Sequence, residues 1–235
     1  MKMRVLCAGA LCLALAGGAW GVDVMVDSFD VGGVATNFTA VANSGNMDET
    51  GLSGTDVLGG QRRSYLEQLT ASGTTAIEIN IGASSNLVYT SGDSGDGLFR
   101  LAYGFSTDLN ANLSQNGTNN SFRFLFDVAD FAGTIQVIAS TTAGGSSTGT
   151  VNIAGGLNAP DPDRWDYLFF SSMTGGADFS DVDRLDFQFE TAQNSDWTIK
   201  EIIVGFTIPE PGLGLLLVPA LGGILYLRRR LSKKA

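Results

Sequence analysis

Leu185-Asp186-Phe187-Gln188-Phe189-Glu190 sets three apolar side chains on one face of an extended chain and three polar ones on the other. Phe122-Arg123-Phe124-Leu125-Phe126 alternates rings with other residues in the same way. A period of two is the mark of a half-buried strand, and it decides the fold class. Shorter runs of this kind occur at Val22 to Val26, Asn37 to Ala42, Ala76 to Ile81, Leu98 to Phe105, Thr134 to Ala139, Thr148 to Ile153, Trp165 to Phe170 and Thr198 to Phe206. In the last of these the alternation changes phase around Lys200-Glu201, which predicts a β-bulge. Arg63 to Leu69 reads as a short helix or an irregular strand.

Gly32-Gly33, Gly59-Gly60, Asn116-Gly117, Gly144-Gly145, Gly155-Gly156 and Gly175-Gly176 separate the runs and supply the backbone freedom of tight connections. Glycine makes up 31 of the 235 residues, about twice the usual share. No long stretch keeps a period of 3.6. The expectation is an all-β domain over residues 22–207, an antiparallel β-sandwich or jelly roll. A β-solenoid is disfavoured because no repeat of fixed length is present. About 185 residues can bury a core that needs no disulfide.

The two ends read as addresses. In residues 1–21, Lys2 and Arg4 precede an apolar run from Val5 to Ala16, and Ala19-Trp20-Gly21 is a small-x-small cleavage site. This is the pattern of a secretory signal peptide, which implies the Sec translocon and signal peptidase as partners. The apolar run is too short for a bilayer span. At the other end Pro209-Glu210-Pro211 precedes an uncharged stretch, residues 212–227, and then a basic end, residues 228–235, opening with Arg228-Arg229-Arg230. Sixteen helical residues at ~1.5 Å each would cover about 24 Å, slightly less than a ~30 Å hydrocarbon core. Arg228, Arg229 and Arg230 would stay cytoplasmic, placing the rest of the chain outside.

Motif, apolar helix and basic end in that order closely resemble the PEP-CTERM sorting signal of Gram-negative bacteria, over residues 208–235. The resemblance implies recognition by an exosortase-type transpeptidase, removal of the helix, and delivery to the cell surface or extracellular polysaccharide matrix. The paired prolines fit such a role because they cannot continue a helix and keep the motif extended.

Composition removes many chemistries. The chain has no His, so Ser-His-Asp and Cys-His dyads and His-ligated metals are excluded. Its two cysteines, Cys7 and Cys12, both lie in the leader, which leaves the exported part without thiols. All 24 acidic residues but only seven of the 14 basic ones fall between Val22 and Pro211, so the exported segment is far more acidic than the whole-chain charge of -10 suggests. Such a charge argues against nucleic acid as a partner.

Gly92-Asp93-Ser94-Gly95 resembles the nucleophile segment of trypsin-like proteases, but without an imidazole base it reads as a polar turn, and no catalytic residue is assigned. Arg62-Arg63 could grip a carboxylate or sulfate, and more simply forms a solvated face or an internal salt bridge. Asp161, Asp163 and Asp166, then Asp178, Asp181, Asp183 and Asp186, and the turn residues Asp93 and Asp96 concentrate oxygen ligands. None follows EF-hand spacing, so they read as acidic surface loops, with calcium the cofactor to test and no metal ligand assigned. Trp165, Tyr167 and Phe169 fall on one face of a strand. Rows of rings are usually core, and this row is expected there; exposed, it would be a sugar-stacking platform. The functional expectation is display, adhesion or glycan binding without catalysis, with extracellular polysaccharide as partner. The rival is a secreted carbohydrate-active enzyme using a carboxylate pair.

Overall fold

The computed structural model describes residues 22–38, 44–70, 73–79, 85–92, 94–158 and 161–207. Ala19 and Gly21, Pro209, Glu210 and Pro211, the apolar stretch 212–227 and Arg228, Arg229 and Arg230 lie outside them. Among the described residues no helix is long and apolar enough to cross a membrane.

The chain forms β1 (Val24–Asp27), β2 (Val34–Phe38), β3 (Ser44–Thr50), β4 (Gln61–Gln68), β5 (Thr75–Ile79), β6 (Leu87–Ser91) and β7 (Gly97–Tyr103). It continues with β8 (Ser121–Ala129), β9 (Gly133–Ser140), β10 (Ser146–Ile153), β11 (Arg164–Phe169), β12 (Thr174–Gly175), β13 (Arg184–Thr191) and β14 (Asp196–Gly205). Two antiparallel sheets form a sandwich. The first has the order β11-β8-β14-β6-β5-β2, with β1 also paired to β14. The second runs β12-β10-β9-β13-β7-β4-β3.

Alternation explains the packing. Phe187 and Phe189 of β13 point inward, and Phe187 meets the edges of Phe122 and Phe124 from the opposite sheet at ring separations of 5.8 and 6.0 Å. Phe99 of β7 stacks on Phe189 within its own sheet at 4.2 Å and on Tyr89 across the sandwich at 4.9 Å. Burying each such ring stabilises by about 1.5–3 kcal/mol, and the ring pairs add about 0.5–1.5 kcal/mol each. Trp197 closes the other end of β14 against Phe126, its indole N–H donating to the Phe131 carbonyl at 3.0 Å.

The expected bulge is present in β14, where the pairing with β8 shifts between Thr198 and Ile199 and again between Ile199 and Glu201. It has a topological use. One edge of β14 is shared by β6, which pairs with Asp196 to Ile199, and by β1, which pairs with Ile202 to Val204. The extra residue lets inward positions resume at Ile202 and Val204 after Trp197 and Ile199.

Elsewhere the structure departs from expectation. Arg63 to Leu69 is neither helical nor irregular: β4 is a regular strand with Arg62, Ser64, Leu66 and Gln68 directed inward. Asn37 to Ala42 straddles the end of β2, and residues 39–43 lie outside the described part. The strand that follows, β3, is an edge that sends only Met47 as an apolar side chain toward the core, so it carries no apolar alternation.

Candidate functional site

The row Trp165, Tyr167, Phe169 is on the outer face, contrary to expectation. In β11 it is Arg164, Asp166 and Leu168 that pair with the inward Phe126, Phe124 and Phe122 of β8, while the rings pair with Leu125, Arg123 and Ser121. The cause is position: β11 is an edge strand, and only Leu168 of its inward residues is fully buried. An Arg164–Asp166 ion pair at 2.9 Å takes the rest of that rim. Tyr167 is 38% exposed. The Arg123 guanidinium lies 4.6 Å from the Trp165 ring and 3.4 Å from Asp23, and its Nε is buried without a hydrogen-bond partner. Beside it Lys200 joins Asp163 at 2.8 Å and Asp127 at 3.3 Å. Burial holds the Glu201 carboxyl above the usual range, against the opposing pull of Arg123. This face is aromatic but largely closed by its own ion pairs.

The outer face of the second sheet is different. Its register aligns Asn46 of β3 with Tyr65 of β4, Arg100 of β7, Gln188 of β13, Gln136 of β9 and Thr150 of β10. One row of hydrogen-bonding side chains therefore crosses six strands, at ~4.8 Å per strand. The neighbouring row has Arg63 and Asp186 on either side of Ala102. Because Ala102 is short and its neighbours long, the surface sinks there into a depression of about 290 Å³, which Arg184 also lines.

Electrostatics order this depression. Arg63 makes a two-point contact with Asp48 at 2.6 and 2.7 Å and lies 4.4 Å from the Phe105 ring. The same hydrogen bonding holds the Asp48 carboxyl below its usual range. Arg184 contacts Asp186 at 2.7 and 2.8 Å. Arg100 lies 5.4 Å from the ring of Tyr65, whose hydroxyl donates to Glu67 at 2.8 Å. Sequence reasoning missed Asn46, Tyr65, Arg100, Gln188 and Gln136 as a group, since only strand register brings them together.

The other sequence candidates resolve as structural. Arg62 is fully buried and takes Asp27 and Glu49, so the Arg62-Arg63 pair splits between the interior and the surface. Gly95 N–H donates to the Gly92 carbonyl at 2.6 Å and Ser94 has a left-handed backbone, which makes this segment a tight turn; Asp93 lies outside the described residues. Six of the acidic candidates are engaged singly: Asp163 by Lys200, Asp166 by Arg164, Asp186 by Arg184, Asp183 by Thr142, Asp178 by Ser180 and Asp161 by the Asn158 N–H. Among the described residues no group of three metal-ligating side chains converges.

A second depression, of about 620 Å³, sits at one end of the sandwich beside the stacked rings of Phe170 and Phe179. Asn119 and Asn120 border it and hold both ends of the described chain. Asn119 donates to the Val22 carbonyl at 2.9 Å, and Asn120 exchanges two hydrogen bonds of 2.9 Å with Thr207.

No family model matches the chain, and no curated protein matches it. Among solved structures it is similar to a family 11 carbohydrate-binding module from Clostridium thermocellum in complex with a β-1,3-1,4-mixed-linked tetrasaccharide. Identity there is 11%, over 80% of this chain and 98% of the other, with a TM-score of 0.40. It is also similar to a family 29 carbohydrate-binding module from Piromyces equi, at 14% identity, 78% and 97% coverage and a TM-score of 0.31. An exo-β-agarase matches at 13% identity over 61% of this chain and 23% of its own, with a TM-score of 0.40. None of these likenesses bears on what this chain binds.

Proposed function

We propose that the chain is an exported, non-catalytic glycan-binding β-sandwich, delivered to the cell surface or extracellular matrix through the PEP-CTERM-like tail. The observation that carries the binding reading is the row Asn46, Tyr65, Arg100, Gln188, Gln136 and Thr150 across the second sheet. A polysaccharide offers hydroxyls in a line and one apolar face per ring. Amide and guanidinium groups satisfy the hydroxyls with directed hydrogen bonds, and a tyrosine supplies a flat surface for the ring. The strand spacing gives each side chain its own stretch of the polymer.

A hydrolytic role finds less support. Glycosidases need two carboxyl groups facing across the bond to be cut. Asp186 is the single carboxylate lining the depression, and Arg184 holds it in a two-point ion pair. Export, signal-peptide cleavage and exosortase processing rest on the two ends of the sequence.

The test is retention of the full chain in gels containing soluble polysaccharides, compared with the double variant Asn46→Ala, Gln188→Ala. Retardation by at least one polysaccharide, reduced in the variant without loss of folding, is expected. Free migration in every polysaccharide would remove the reading.

A further inference from the structure

We infer that the glycan bound on the second sheet is anionic, and that Arg100 takes its carboxylate or sulfate. The inference rests on the glycan-binding reading and names its ligand class. Six of the seven cationic side chains in the described domain have a carboxylate partner within 4 Å: Arg62, Arg63, Arg123, Arg164, Arg184 and Lys200. Arg100 alone among the described residues has none, in a domain whose acidic residues outnumber its basic ones more than threefold. Where carboxylates are that abundant, an exposed guanidinium without one has donors to offer a ligand.

Its surroundings agree. Arg100 is exposed on β7, in the interior of the sheet and in the middle of the polar row. Its neighbours across the strands, Tyr65 and Gln188, are uncharged. The Tyr65 ring supports the guanidinium on one side, and the Tyr65 hydroxyl is itself fixed by Glu67. A planar cation held against a ring keeps the in-plane edge that suits a two-point grip on an oxyanion. The remaining lining cations, Arg63 and Arg184, are already neutralised by Asp48 and Asp186, so the depression presents one net positive anchor. Apart from Asp186, the nearest carboxylates on this face, Glu67 and Glu190, stand two positions along their strands from Tyr65 and Gln188, and neither is within 4 Å of Arg100.

Binding of the full chain is measured to three hexasaccharides: one bearing uronate carboxylates, one bearing sulfates and one uncharged. At least one of the charged ligands is expected to bind on the order of tenfold or more tightly than the uncharged one, the usual weight of a charge-assisted hydrogen-bonded pair. Whichever charged ligand wins identifies the oxyanion. Arg100→Gln should reduce that ligand to the level of the uncharged one, whereas Arg164→Gln, on the other sheet, should leave the preference unchanged. Equal binding of all three, or a preference that survives Arg100→Gln, overturns the anionic assignment and leaves glycan binding standing. Absence of binding to all three overturns the anionic assignment, and glycan binding falls with it if the chain also migrates freely in every polysaccharide gel. Unchanged thermal unfolding of Arg100→Gln checks that the exposed substitution has not disturbed the fold.

Discussion

Arg62 and Asp27 form a salt bridge through the interior of the sandwich, with both Asp27 oxygens 3.0 Å from the Arg62 Nη1 and neither side chain reached by solvent. Asp27 belongs to β1 of the first sheet and Arg62 to β4 of the second, so the pair is a polar bolt between layers that otherwise meet through hydrocarbon. Every remaining lone pair is used: Asp27 also accepts from Tyr103 at 2.7 Å and from the Phe29 N–H at 2.9 Å, and Arg62 donates to Glu49 at 2.6 Å. Removing Arg62 strands the buried Asp27 charge, and removing Asp27 leaves the buried guanidinium to be balanced by Glu49. Arg62→Met and Asp27→Leu should each destabilise by about 3–5 kcal/mol, and the double variant by clearly less than the sum, as read from urea midpoints. Additive losses would show that the two charges do not depend on each other.

Tyr103, beside that pair, should limit stability at alkaline pH. Burial, with the Asp27 charge adding to it, holds its phenol well above the ordinary value of about 10. Tyr89 is raised by burial as well. The unfolded chain therefore sheds protons above pH ~10 that the folded chain keeps, and stability falls by about 1.4 kcal/mol per pH unit for each such group. Tyr103→Phe should start lower, having lost the hydrogen bond to Asp27, but decline less steeply above pH ~10. An unchanged slope in denaturation curves across that range would contradict this.

Gly104, directly after β7, has φ +76°, and a Cβ there would run into the Asp183 carbonyl oxygen. Left-handed strain and the backbone clash act together, so Gly104→Ala should cost about 2–4 kcal/mol. Thermal melting would detect it readily, and a melting temperature like that of the parent would mean the loop can shift at little cost.

The two tryptophans of the described domain should behave as opposites. Trp197 is fully buried, whereas Trp165 lies on the outer face of the first sheet under Arg123. Fluorescence of the Trp197→Phe protein should be quenched readily by acrylamide, and that of Trp165→Phe only weakly. Trp165→Ala should also leave glycan retention intact, because the proposed ligand occupies the other sheet. Lost retention would move the binding face to β11.

Processing of the tail is testable without the domain's ligand. If an exosortase-type enzyme reads Pro209-Glu210-Pro211, Glu210→Ala should leave the full-length form in the membrane fraction of the producing cell. Normal release of the variant would show that Glu210 is not read.

What the sequence shows of the fold is tied to where neighbours supply contrast. Phe122 to Phe126 and Leu185 to Glu190 lie on interior strands of their sheets, with one face on the core and one on solvent, and their alternation is plain. β3 and β11 are edge strands, whose inner faces are only partly covered. There the pattern vanishes, in β3, or misleads, in β11, whose rings look like core and are not. Arg62 was legible as an ion-pairing residue but not as an interior one, since its partner Asp27 lies 35 residues away. The polar row was illegible for a related reason: none of its members is unusual alone, and only six strands in register make them a surface.

Asn119 and Asn120 gather Val22 and Thr207 at the same end of the sandwich, where the chain leaves β14. A pull transmitted through the segment after Thr207 thus enters the domain along the axis of β14. That strand is flanked by β8 on one side and by β6 and β1 on the other. Load of this kind shears many hydrogen bonds at once and cannot peel them off one by one, as it would from an edge strand.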